Sequence, residues 1–280
     1  MDLILSKISL FLILLATGGF IVYIVKQNKS VFGCAYWVMF SGFIFQTIFL
    51  VHQYTALGTV PVVNLKLSLA FFAWSVIGVY LLFQIKFRLM VLGSFVAPFA
   101  AFLMILSSAI PADPDTVPPV LKSIWLLLHA FSMFLGDGIF TISFIAAIMY
   151  LIQERQIKMK TRGTFFKRLP SLETLDSINH YSLIYGFPLL TIGMITGAIY
   201  AQFALGSYWR WDTKEVWALV TWIAYAILLH ERLTVGWRGR RAAYLSILCF
   251  MVLIFTFLGS SMWLNSYHSF SDFGGVNKLS

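Results

Sequence analysis

The chain has 280 residues, 60% of them hydrophobic and 11% charged, with a mean hydropathy of +0.85. A soluble domain carries about 25% charged residues, so this composition excludes a water-soluble enzyme or binding module and points to a bilayer protein. The net charge of +9 then has to be explained by membrane topology, not by a nucleic-acid surface.

Crossing a hydrocarbon core about 30 Å thick takes about 20 helical residues. Eight apolar runs approach that length, at residues 9–26, 31–52, 65–83, 89–108, 121–151, 179–203, 214–231 and 241–264. The expected fold is an all-α polytopic membrane bundle of about eight transmembrane helices, with residues 1–280 forming a single integral membrane domain. The first run lacks a strongly basic start and a convincing small-residue cleavage site, so it reads as a true helix and not a signal peptide. The longest polar connection, residues 153–177, contains Gly163 and Pro170 as breakers and leaves no room for an appended soluble domain. Chemistry is expected in the spans or the short loops.

Loop charge orients the bundle. With the first loop inside, 14 of the 20 Lys and Arg fall inside, including the run from Arg155 to Arg168, and 6 fall outside (Lys7, Lys66, Lys122, Arg210, Lys214 and Lys278). The positive-inside bias therefore predicts both termini outside.

Only Cys34 and Cys249 are available as thiols. They form no Cys-x-x-Cys, which argues for packing and against a built-in redox centre. The five histidines are more informative, because neutral imidazole is a common axial ligand of haem iron and is costly to strand in lipid. On this topology His52, His129 and His268 lie at the outer face, whereas His180 and His230 lie at the inner ends of their spans. His230 is roughly 27 Å from Asp212 along the seventh helix, so one porphyrin could not bridge those levels.

Between the sixth and seventh spans runs Gly206-Ser207-Tyr208-Trp209-Arg210-Trp211-Asp212-Thr213-Lys214-Glu215-Val216-Trp217. Tryptophan and tyrosine favour a bilayer interface in any membrane protein, and Asp212 with Glu215 has the spacing of a helix-capping pair. Neither effect explains the density: Trp209, Trp211, Trp217 and Trp222 are four of the nine tryptophans. Indoles supply the flat apolar walls that a porphyrin needs.

This segment resembles the tryptophan-rich WWD signature of the CcsA/ResC family of system II cytochrome c biogenesis, with a more distant relationship to CcmC of system I. Trp217, Trp222, Tyr225 and Leu229-His230 continue the resemblance, and Pro61 to Asn64 through Phe71 to Trp74, Leu128-His129, Gly186 to Gly193 and Gly236 to Ala243 extend it over most of the chain from Pro61 onward. Two positions depart from the pattern, with Leu205 where the family usually has Trp and Thr213 where it usually has Pro. The final histidine, in Leu264-Asn265-Ser266-Tyr267-His268, matches the family's closing element more loosely.

The resemblance implies a site and a task. His129 and His268 would hold haem b through its iron at the external face, against Gly206, Tyr208, Trp209, Trp211, Asp212, Glu215 and Trp217. Arg210 and Lys214 could pair with the propionates. His230 would bind haem at an inner station on its way out. The chain would deliver haem and present it for thioether attachment to the CxxCH motifs of apocytochrome c, as a subunit of a holocytochrome c synthetase (haem lyase) complex with a CcsB/ResB-type partner. Thiol-reducing proteins would act indirectly, and the membrane implied is a bacterial cytoplasmic membrane rather than a thylakoid. No nucleophile from this chain is required. The inner partner of His230 is either in the second subunit or is His180, which otherwise reads as an interfacial residue.

Asp137 sits about 12 Å along the fifth helix from His129 and about 80° round it, too far for a direct bond. Its default reading is a structural polar contact, paired with a basic group of another helix or protonated. Two other functions stay in view. A secondary transporter of another small molecule would want midplane charges and an inverted repeat, neither of which is evident beyond Asp137. A HemX-like haem-binding regulator generally lacks the full tryptophan signature.

Overall fold

The computed structural model describes residues 2–111, 121–160 and 168–259. They form eight helices: α1 (Asp2–Lys26), α2 (Lys29–Leu57), α3 (Leu65–Phe87), α4 (Gly93–Ala109), α5 (Ile124–Lys158), α6 (Leu172–Leu205), α7 (Thr213–His230) and α8 (Arg240–Ile254). A 3-10 turn (Met90–Leu92) leads into α4, and π-helical turns (Glu231–Val235 and Phe255–Gly259) extend α7 and α8. With those turns included, all eight are long and apolar enough to cross a membrane. The chain is a polytopic all-α membrane protein, and helices are the form that satisfies a backbone locally in lipid.

The helices outrun the apolar stretches that announce them. α5 continues to Lys158, where Lys158 Nζ meets Glu154 Oε1 at 2.6 Å one turn back, and α6 starts at a Ser171 cap whose side chain accepts from Thr174 N. Hydropathy marks only the lipid-buried part of a helix; capping and i,i+4 pairs carry it further. His180, expected to open the sixth span, consequently lies two turns inside α6.

α1 pairs with α2 and α5 with α6 as long hairpins, and α3 lies between the two pairs. One core runs through α1 to α5 and the start of α6, around Phe20, Phe72, Ile77, Tyr80 and Met104. A smaller one joins α5 to α8 around Phe140, Leu183, Tyr225 and Phe250. Of the most apolar window in α3, 78% is buried, against 22% in α7, so α7 is the most peripheral span.

The loop after α2, the residues leading into α5 and the α6–α7 loop gather at one end, called here the tryptophan end. Thr59 Oγ1 donates to Leu121 O, and Ser107 Oγ to Lys66 O at 2.8 Å. The opposite, basic end carries the α5–α6 and α7–α8 connections. There Lys86 Nζ donates to Tyr185 Oη at 2.7 Å and lies 4.4 Å from the centre of the Tyr181 ring, a cation clasped by interfacial aromatics.

Candidate functional site at the tryptophan end

A cavity of about 320 Å³ opens at the tryptophan end, within the range of small-molecule sites. α5 contributes His129, Met133 and Asp137; α6 contributes Met194 and Gly197; the α6–α7 loop contributes Tyr208 and Trp209; and α7 contributes Lys214 and Glu215. Most of the remaining lining is apolar.

His129 is held by a slot in α6. Its Nδ1 lies 2.7 Å from Gly193 O. A carbonyl can only accept, so the neutral ring carries its proton on Nδ1 and its lone pair on Nε2, the tautomer suited to binding a metal through Nε2. One turn on, a Cβ at Gly197 would sit 2.6 Å from that same Nδ1, and one at Gly193 would sit 2.5 Å from Met133 Sδ. The Gly-x-x-x-Gly spacing at 193 and 197 lets α6 approach α5 closely enough to take the imidazole. This pair carries a positioning role that the sequence reading did not assign, although the spacing itself was there to be seen.

The tryptophan loop is built by its caps. Gly206 ends α6 in the left-handed region at φ +75°, its N–H donating to Gln202 O. Asp212 caps α7 and accepts from Lys214 N at 3.3 Å. Glu215 reaches back to accept from Asp212 N at 3.2 Å and from Arg210 N at 2.8 Å. The carboxylates are thus used in a capping box, which holds the loop against the helix. Between the caps, Trp211 adopts φ +59°, a conformation costly for a bulky side chain, and is 76% exposed. Its ring meets Trp209 edge-on, centroids 5.9 Å apart. Trp209 lines the cavity, and its indole Nε1 is buried with no hydrogen-bond partner among the described residues. An indole N–H wants a partner when buried, so Trp209 offers a donor in the cavity wall.

The remaining indoles of the cluster face elsewhere. Trp217 packs on Phe255 at 4.5 Å, and Trp222 donates to Thr191 Oγ1 at 3.0 Å while packing on Phe187. Both knit α7 to its neighbours and lie off the cavity lining. The density of tryptophans in sequence therefore divides into Trp209 at the cavity, Trp211 on the surface, and two packing residues.

His230, the last residue of α7, is exposed at the basic end with its Nδ1 3.4 Å from Thr234 Oγ1. The structure does not bring it to His129. His268 lies outside the described residues. His52 Nδ1 sits 2.7 Å from Asp2 Oδ1, a link between the ends of α2 and α1. His180 accepts at Nδ1 from Arg232 Nε at 3.2 Å, which places its proton on Nε2 and leaves no nitrogen lone pair for a metal.

That contact belongs to a buried network at the basic end. Arg232, in the π turn after α7, also donates to Asp176 Oδ2 at 2.6 Å and Asp176 O at 2.7 Å, and to Asn179 Oδ1 at 3.3 Å. Asp176 Oδ1 accepts from Gly239 N, and Asn179 Nδ2 donates to Ser143 and Ser246. The network ties α5, α6, α7 and α8 together where an arginine would otherwise be stranded.

The sequence leaves Asp137 either paired with a basic group of another helix or protonated. Among the described residues none hydrogen-bonds or pairs with its carboxyl, which is 7% exposed and lines the cavity floor.

Comparison with known proteins places this geometry. Residues 62–268 match the family described as Cytochrome C assembly protein. The chain is 36% identical over 266 residues to a cytochrome c biogenesis protein CcsA of Guillardia theta, covering 88% of each chain. It is 32% identical over 264 residues to a CcsA of Microcystis aeruginosa, covering 77% of this chain and 80% of the relative. Among solved structures, the cytochrome c haem lyase CcmF aligns with a TM-score of 0.64 at 17% identity, over 98% of this chain and 48% of the lyase. The chain spans about half the length of that lyase and shares its fold.

Proposed function

Because the chain belongs to the cytochrome c assembly protein family and acts in cytochrome c biogenesis, we infer that the cavity at the tryptophan end is where haem b is held for attachment to apocytochrome c. The observation that carries this reading is the pairing of His129, its tautomer set by Gly193 O, with a Trp209 indole N–H that has no partner among the described residues, in the wall of one apolar cavity. A macrocycle needs an axial nitrogen, flat apolar walls and polar anchors for its propionates. His129, Trp209 and the apolar lining, and Lys214 with Tyr208, supply these in that order. His268 is proposed as the second axial ligand.

The residues present hold and orient; the bond-making partners come with the substrates. Thioether formation adds a cysteine S–H across a vinyl group, so the chain's work is to immobilise the macrocycle and leave one edge accessible. Trp211, exposed beside the cavity, is placed to meet the incoming polypeptide. The tryptophan end is proposed to face outside, supported by the division of 14 and 6 basic residues, and a CcsB/ResB-type subunit is proposed to complete the synthetase. His230 on the open side of α7 would then receive haem at the inner level with that subunit. The membrane is proposed to be a bacterial cytoplasmic one.

The test is the visible spectrum of the purified full chain, alone and with a CcsB-type partner, for wild type and for His129→Ala, His268→Ala and His230→Ala. Haem retained by wild type and lost or spectrally altered in the first two variants supports the reading. Haem retained unchanged in His129→Ala overturns it.

A further inference from the structure

The floor of the cavity holds a carboxyl that haem retention does not require. Asp137 is 93% buried by the complement of its 7% exposure, lines the cavity, and has no hydrogen-bond or ionic partner among the described residues. Leaving a carboxyl in this setting is expensive unless something in the cavity uses it. Buried hydroxyls without hydrogen-bond partners among the described residues accompany it: Ser75 Oγ, Ser182 Oγ and Tyr225 Oη. Ser75 lies against Gly138, the residue next to Asp137. Tyr225 stacks at 3.6 Å on Phe140, one turn below Asp137. Ser182 is one turn along α6 from Asn179, which is bonded to Ser143, Ser246 and Arg232. Polar groups thus flank Asp137 on both sides of α5, Ser75 from α3 and Tyr225 from α7.

We propose that Asp137 is a proton-loading site, which takes up a proton when negative charge enters the cavity above it. The inference rests on the reading that the cavity holds haem. Reduction of a bound haem by a chemical reductant such as dithionite would add one negative charge to the cavity, and the answering step on this chain is one solvent proton bound at an Asp137 carboxylate oxygen. The physical driver is charge compensation. At an effective dielectric of about 20, charges about 12 Å apart still interact strongly enough to change a proton affinity about tenfold. The titratable groups that share the cavity are His129 on the same helix, Tyr200 from α6, Tyr208 from the loop, and Lys214 and Glu215 from α7. Tyr225 of α7 and Cys249 of α8 lie in the adjoining core. Of these only Asp137 is a floor carboxyl, so its replacement isolates its share.

The experiment is a spectroelectrochemical titration of haem in the purified full chain across pH. The wild-type midpoint should fall by about 59 mV in all between its acid and alkaline limits, the tenfold affinity change expressed for a one-electron couple. Asp137→Asn should flatten that curve with the haem spectrum unchanged. Should Asp137→Asn not fold, Asp137→Glu retains an acid at another reach and must displace the curve along the pH axis. An Asp137→Asn or Asp137→Glu curve that superimposes on wild type overturns the proposal. A chain that binds no haem overturns the parent reading as well, which keeps the two failures distinct.

Discussion

His129 and His180 stand near opposite ends of the same helix pair and use the same ring nitrogen in opposite ways. His129 donates from Nδ1 to Gly193 O, so its lone pair remains on Nε2. His180 accepts at Nδ1 from Arg232, so both of its nitrogens are committed. Around His180 the arginine, aspartate, asparagine and two serines bond one another. Around His129 the cavity keeps an indole N–H and a carboxyl, Trp209 and Asp137, that no hydrogen bond among the described residues engages. In a bilayer, where unmet polar groups are costly, satisfied polarity builds structure, and polarity left unmet marks where a ligand belongs.

The largest effect should come from breaking the satisfied end. Arg232→Ala leaves Asp176 and Asn179 without their cation and should cost about 3–5 kcal/mol, as for a buried pair that loses one member. The measurement is thermal unfolding in detergent. A Tm within error of wild type would show that the network is not structural and would dissolve the contrast between the two ends.

At the open end, Gly197→Ala tests the slot without touching a ligand. Alanine is the better helix former, yet its methyl would collide with the imidazole. Haem affinity should drop about 10–100-fold, as when the group orienting a metal ligand is lost, while helicity by circular dichroism is unchanged. Wild-type affinity in this variant would mean that α6 does not position His129. The equivalent insult to the other histidine, His180→Ala, should reduce stability and leave haem content alone.

Trp209→Phe keeps an apolar ring and deletes the N–H. A net hydrogen bond of about 1 kcal/mol predicts roughly a fivefold weaker haem complex, measured by titrating haem into the stripped protein. No change in affinity would remove the indole donor from the site.

The smallest effect is expected at Trp211. Trp211→Gly relieves a left-handed backbone that costs about 1 kcal/mol or more, so the chain should become slightly more stable by thermal unfolding. Haem retention should persist, and thioether attachment should decline because the exposed ring is gone. A loss of retention would instead put Trp211 inside the cavity's work.

Much of this was legible in one dimension, since a bilayer imposes a simple length and hydropathy rule. Eight spans, their order and the capping box of Asp212 and Glu215 are local properties, written in runs of apolar residues and in a three-residue spacing. The family resemblance on the tryptophan segment likewise needs only the linear string. Side-chain destinations are different in kind. Trp209 and Trp217 look equivalent in sequence, but one lines the cavity and the other packs on Phe255, because rotation about α7 and the approach of α8 decide which way each ring faces. The partners of Arg232 are more than fifty residues away along the chain, so no local pattern announces them. Hydropathy and caps determine which segments are helices and where they start; only the packing of those helices against one another determined that Gly193 and Gly197 hold His129 and that Asp137 opens into the cavity, because those are distances between elements that the backbone's local preferences do not set.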